Sequence, residues 1–177
     1  MSKIKEYQIT GQDFENLQTE LGNFYKLPIP YGNQFDHMDR LYGKKIVTPK
    51  VDTSYGEMMI NIMQIHNLDV LQKIVSTNVE DYLGDVNFKI VDCWATDMKE
   101  GSAALWHHHL PTMLSGVYYH EFTEPESHIE FMVDGVATPY ASQLGKMIIW
   151  PAGTLHRIPL KTTSKNRRSI SFNVIRI

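Results

Sequence analysis

The stretch GSAALWHHHLPTMLSGVYY, Gly101 to Tyr119, decides how the chain is read. Three consecutive imidazoles, His107, His108 and His109, stand between an apolar run and a Leu-Pro turn. Alternation along an extended strand aims the first and third the same way. A further histidine, His156, lies in a similar setting in GKMIIWPAGTLHRIPL, which starts at Gly145. An H-x-H pair with a distant histidine on another strand is a metal-site pattern, because imidazole is a preferred ligand for iron, zinc, copper and nickel. The bland alternative is a polar surface strand, and the neighbouring Trp106 and SGVYY segments argue against it.

Around this stretch the texture is that of strands. From Val86 onward, VNFKIVDCWATDM, LWHHHL, LSGVYYHEF, HIEFMV, GKMIIWP, LHRIPL and RRSISFNVIRI are separated by turn residues. About seven short strands with no helices between them imply an antiparallel sandwich or barrel. The last of them alternates, with Arg167, Ser169, Ser171 and Asn173 on one face and Arg168, Ile170, Phe172 and Val174 on the other. A polar face turned into a barrel is tolerated only where something polar binds. The alternative is an edge strand whose polar face meets water.

Upstream the pattern is helical. Thr10-Gly-Gln-Asp13 has the form of a capping box, with Phe14, Leu17, Leu21 and Phe24 following at helical spacing. Leu27 to Gly56 shows no sustained period and reads as an ordered loop, with one short strand around Ile46 and a lid or groove as its use. Glu57 to Leu83 returns to helix, Met59, Ile62 and Met63 in one segment and Leu71, Ile74 and Val75 in a second that Asn67 would cap, before Gly84-Asp85 breaks it. The expectation is a single domain over residues 1–177. Its helical and loop part, 1–85, packs on an 86–177 core. The fold class is mainly β (α+β), a double-stranded β-helix or jelly roll braced by N-terminal helices.

Composition narrows the function. At 177 residues with 42% hydrophobic content the chain supports one sizeable core. A net charge of -3, from 17 basic and 20 acidic residues, gives no electrostatic case for nucleic acid. The basic run from Lys161 to Arg168 reads as a solvated loop, Arg167 excepted. Cys93 is the single cysteine, so neither an internal disulfide nor a thiolate metal site is available. No signal sequence and no membrane-length apolar run is present, and the expected location is a soluble, cytoplasmic one. His37 and His66 read as ordinary surface or partly buried histidines, and His120 and His128 as ordinary exposed ones.

Two spacings resemble the paired motifs of the cupin superfamily: Gly101 followed after five residues by His107-x-His109, and Gly145 after five by Pro151-x-Gly153-x-x-His156. The glutamate expected soon after the first pair is missing from LPTMLSG, and Leu160 stands where the second motif has asparagine. A closer match runs from Trp94 to Val174 through a Trp strand, H-x-H, LSGVYY, GxxIIWP, LHRIP and RRSISFNV. It resembles the Fe(II)/2-oxoglutarate-dependent oxygenase family of phages, cyanobacteria and marine bacteria, which is related to the prolyl hydroxylases.

That resemblance implies a jelly-roll core with Fe(II) as cofactor and 2-oxoglutarate as co-substrate, and an enzyme that uses O2 to hydroxylate a small-molecule or peptidyl substrate. It puts metal ligands at His107, His109 and His156, with His108 as the other choice in the triplet. Most such enzymes have H-x-D or H-x-E, so His109 stands where a carboxylate is usual. Either His109 is the third ligand, or a carboxylate comes from elsewhere. Arg167-x-Ser169 resembles the pair that holds the far carboxylate of 2-oxoglutarate, a task for which a forked guanidinium suits better than an ammonium, and Tyr119 matches a phenol position on the same carboxylate. Two other readings stand beside this one: a three-histidine cupin-type metalloenzyme that does not use 2-oxoglutarate, and a non-catalytic jelly-roll binding module. A homodimer through sheet edges is compatible with each.

Overall fold

The computed structural model describes residues 4–33, 51–55, 60–121, 128–164 and 167–177. The elements in order are β1 (Lys5–Gln8), α1 (Gly11–Phe24), β2 (Tyr31–Asn33), β3 (Asp52–Ser54), α2 (Ile62–Ile65), α3 (Asp69–Leu83) and β4 (Phe88–Met98). They continue with β5 (Ala104–His107), β6 (Leu114–Glu121), β7 (Ile129–Val133), β8 (Val136–Tyr140), β9 (Lys146–Pro151), β10 (His156–Ile158) and β11 (Arg167–Arg176). Every strand pairing is antiparallel. A seven-stranded sheet has the order β1-β9-β6-β11-β4-β3-β2, and a four-stranded sheet the order β5-β10-β7-β8. This is a jelly roll, its larger sheet widened at both edges by strands from the N-terminal part.

β11 lies between β6 and β4, which rules out the edge-strand alternative. Both of its faces are consequently buried. Ile170, Phe172 and Val174 join Cys93, Ala95, Tyr118 and Ile149 in a core shared with Leu17, Leu21 and Phe24 of α1 and with Leu71, Ile74 and Val75 of α3. The opposite face turns toward the smaller sheet, where Val117, Tyr119, Ile129, Phe131, Ile148 and Trp150 form a second cluster. Helices therefore cover the larger sheet from outside, and its other face packs on the smaller sheet. Gly116 is required by this packing, since a Cβ there would sit 2.1 Å from Cζ of Phe172, its partner in register.

The helices follow their apolar spacing, but their caps differ from the sequence expectation. Thr10 is the N-cap of α1 and makes no side-chain capping bond, so the capping box does not form. Asn61 caps α2, its side chain accepting from Met63 N at 3.1 Å. Asn67 does not cap α3, whose N-cap is Leu68. The exposed amides at that end are instead taken by α1, with the Glu20 carboxylate accepting from Val70 N at 2.9 Å and Leu71 N at 2.8 Å. A carboxylate at a helix N-terminus satisfies orphan donors and the dipole together. Gly84, at φ 67°, ends α3 in the left-handed conformation that glycine adopts freely.

The segment read as loop between Leu27 and Gly56 contributes β2 and β3, too short at three residues each for a period to register. The strand expected around Ile46, His37 and Met59 lie outside the described residues, as does most of the expected lid. In the basic run, Lys161 is buried rather than solvated, its Nζ donating to Thr163 O and, at 3.0 Å, to Thr163 Oγ1. Among the described residues no helix is long and apolar enough to cross a membrane.

Candidate functional site

His107 ends β5 and His156 begins β10, and the two are partners in register across the smaller sheet. The chain then leaves β5 under backbone control. His109 N donates to Ala152 O at 2.8 Å, and Thr112 closes a turn by donating from N and Oγ1 to His109 O at 3.1 and 2.6 Å. This turn brings the third imidazole back over the other two. The potential ligand atoms of His107, His109 and His156 all lie within 4.8 Å of one another. His108 is exposed and points elsewhere, its Nδ1 accepting from Leu110 N at 3.3 Å.

Hydrogen bonding sets the tautomers. His107 Nδ1 lies 2.6 Å from Leu105 O and His156 Nδ1 lies 3.0 Å from Thr154 O. A carbonyl accepts only from N–H, so each Nδ1 carries the proton and each Nε2 keeps its lone pair, the usual arrangement for a metal-binding histidine. His109 Nε2 and His156 Nε2 approach to 3.2 Å, a separation that calls for a shared proton or a cation. Burial is the main cause that lowers all three pKa values, and the neighbouring imidazoles add to it. His109 falls to about 4 and His156 to about 3, so at neutral pH they are in the form that binds a metal. Trp94 packs 5.8 Å from His109, and Trp150 and Phe131 pack 4.9 and 5.8 Å from His156, giving the cluster an apolar wall. Three converging neutral imidazoles fit a divalent first-row ion. Among the described residues no carboxylate joins the cluster.

The inward face of β11 supplies the polar part of the site. Arg167, 1% exposed, donates from Nη1 to Met98 Sδ at 3.1 Å and to Ser169 Oγ at 3.4 Å, and its Cζ lies 5.0 Å from the centre of the Tyr119 ring. Ser169 and Tyr119 are register partners, and Ser169 Oγ is 2.6 Å from Thr96 Oγ1. Burial lowers the Arg167 pKa and Tyr119 opposes that effect, while the guanidinium's ordinary value is so high that it stays charged. Trp150 Nε1 is buried and has no hydrogen-bond partner among the described residues.

The structure thus brings His107, His109 and His156 together, and separately Arg167, Ser169 and Tyr119. Sequence reasoning missed Thr96, Trp94 and Trp150. The first two were legible in WATDM, where Trp94, Thr96 and Met98 alternate inward opposite Ser171, Ser169 and Arg167. The histidines outside the cluster need partial correction. His120 is buried, stacked 5.1 Å from Tyr25, with a pKa lowered by burial to about 4. His128 is half-buried and bonds Glu130 Oε1 at 3.0 Å, and His66 bonds Tyr55 Oη at 2.5 Å.

No family model matches the sequence, and no curated protein matches it. Solved structures do match. HygX from Streptomyces hygroscopicus, with nickel and 2-oxoglutarate bound, superposes at a TM-score of 0.70 with 7% identity, over 99% of this chain and 83% of that one. A prolyl hydroxylase from Trichoplax adhaerens, in complex with a hypoxia inducible factor peptide fragment, gives 0.67 with 10% identity over 99% and 83%. A Pseudomonas putida prolyl-4-hydroxylase gives 0.61 with 12% identity over 100% and 94%. At this level of identity the likeness concerns the fold alone, and the chain shares its jelly-roll fold with these structures.

Proposed function

We propose that the chain is an Fe(II)- and 2-oxoglutarate-dependent oxygenase that hydroxylates an organic substrate. The observation that carries this reading is Arg167, a fully buried guanidinium on the same inner barrel surface as three metal-ready imidazoles. A metal-binding module needs the imidazoles alone. A buried cation beside Ser169, Thr96 and Tyr119 has its use in holding an anion such as the far carboxylate of 2-oxoglutarate.

His107, His109 and His156 would hold the iron. Bound there with 2-oxoglutarate and O2, Fe(II) supplies the oxidation that turns a substrate C–H into C–OH, while the co-substrate is oxidised to succinate and CO2. The chain's own residues position and shield. Arg167 gives a forked, permanently charged donor and Ser169 a hydroxyl for one end of the dicarboxylate, which fixes the direction of the other end. Tyr119 adds a phenol that lies against the guanidinium. Trp94, Trp150 and Phe131 keep water from the imidazoles. Neither a nucleophilic side chain nor a general base is needed.

The substrate class proposed is a small molecule or a peptidyl group. The Trichoplax enzyme was solved with a peptide and HygX also with hygromycin B, which supports keeping both kinds for this chain. Incubated in air with Fe(II), 2-oxoglutarate and ascorbate, the protein is expected to form succinate slowly even without its substrate, and EDTA should stop it. Succinate no faster than in a protein-free control would contradict the proposal and favour the three-histidine cupin reading.

A further inference from the structure

Strand register decides which acidic side chains face into the barrel. Asp97 and Glu121 lie on the outer face against Arg168, and Glu130 lies on the outer face of the smaller sheet against Arg157 and His128. Asp92 is different. It pairs in register with Asn173 and belongs to the inward row Asp92, Trp94, Thr96 and Met98. Among the described residues of β4 to β11 it is the acidic side chain that faces inward, and the function proposed above gives it no task.

The surroundings of Asp92 are built to hold it. Its Oδ2 accepts from Asn173 Nδ2 at 3.1 Å, and Asn173 Oδ1 accepts from Ser115 Oγ at 2.7 Å. Asn173 is 3% exposed and Ser115 1%. Burying an amide and a hydroxyl is unfavourable unless they are bonded, and here they form a directed chain that ends on the carboxylate. One tryptophan ring on each side separates this chain from the imidazoles. Ser115 is the register partner of Trp150, whose ring touches His156, and Trp94, the next inward residue after Asp92, touches His109. Asp92 is nevertheless outside the group of ligand atoms that can share one ion.

We infer that Asp92 is the counter-charge of the metal centre, acting from the barrel wall without ligating. This rests on the oxygenase reading. Where a site has H-x-D, the ligand itself carries the negative charge, and here His109 brings none. A dipositive ion and the Arg167 guanidinium, set against the two carboxylates of 2-oxoglutarate and the Asp92 carboxylate, leave the interior neutral. Asp92 is half-buried, and with it neutralised the site would hold one uncompensated positive charge. Asp92 is thus a positioning residue in the electrostatic sense, and Asn173 and Ser115 hold it in place.

The test uses Co(II) as the probe metal, followed by its visible absorption against a competing chelator, and then 2-oxoglutarate titrated calorimetrically into the Co(II)-loaded protein. Asp92→Asn keeps the shape and an acceptor for Asn173. It is expected to weaken Co(II) binding about tenfold and to tighten 2-oxoglutarate binding about threefold, because the metal and the dianion feel the lost charge with opposite signs. Asp92→Ser should shift both affinities the same way, and Asp92→Glu should stay near wild type in both. Loss of both affinities together, no change in either, or an Asp92→Glu as impaired as Asp92→Asn would overturn the inference. A wild type that binds Co(II) but not 2-oxoglutarate would sink the oxygenase reading instead, and the cobalt titrations would still decide on Asp92.

Discussion

Arg167→Ala is expected to weaken 2-oxoglutarate binding by a hundredfold or more while leaving Fe(II) binding within a few-fold of wild type. The guanidinium is 1% exposed, so its interaction with an anion is little screened by water, and nothing else on the inward face of β11 carries a positive charge. Truncating one partner of a buried charge pair typically costs about 2–5 kcal/mol, and a hundredfold loss corresponds to about 2.7 kcal/mol. Arg167→Lys should recover a minor part, since an ammonium keeps the charge and loses the fork. Calorimetric titration of the metal-loaded variants checks this. Equal losses of metal and co-substrate would point to damaged packing around Met98 and Tyr119 instead.

His156→Ala should abolish metal binding at micromolar concentrations, and His108→Ala should leave it unchanged. His156 is the most enclosed of the three imidazoles, 3% exposed between Trp150 and Phe131, and its Nδ1 is anchored on Thr154 O. Removing it leaves two imidazoles, too few for a stable protein site. His108 is a built-in control, since it lies in the same triplet and points away. The readout is the rise in melting temperature with added metal, because a ligand at a hundred times its dissociation constant stabilises the folded state by about 2.7 kcal/mol. Wild type and His108→Ala should show the rise and His156→Ala should not.

Much of this site was legible in the sequence because strands have a period of two. Arg167-x-Ser169 and the row that ends at Asn173 are spaced to share a face and lie together on β11, whereas His109 lies beyond the end of β5 and meets His107 through the turn that Thr112 closes. The fold was legible for the same reason, since the seven stretches after Val86 kept their alternation or apolar runs between turn residues. What escaped depends on contacts distant in sequence. Glu20 capping α3 joins residues about 50 positions apart, and no local pattern announces it. The burial of His120 is set by Tyr25 stacking on it from beyond the end of α1. Asp92 keeps the alternation of Met98, Thr96 and Trp94, but its partner Asn173 is 81 positions away and no local pattern pairs them. β2 and β3 were too short for any period to show.

The measurement that bears most directly on the proposed function is the anaerobic titration of Fe(II)-loaded protein with 2-oxoglutarate, followed in the visible. The chelate of the keto acid on Fe(II) gives a weak metal-to-ligand charge-transfer band. The proposed arrangement of three imidazoles with Arg167 predicts that the band appears in wild type, saturates at one equivalent per chain, and is absent at the same concentrations in Arg167→Ala. Iron held by His107, His109 and His156 with no band at any 2-oxoglutarate concentration would contradict it.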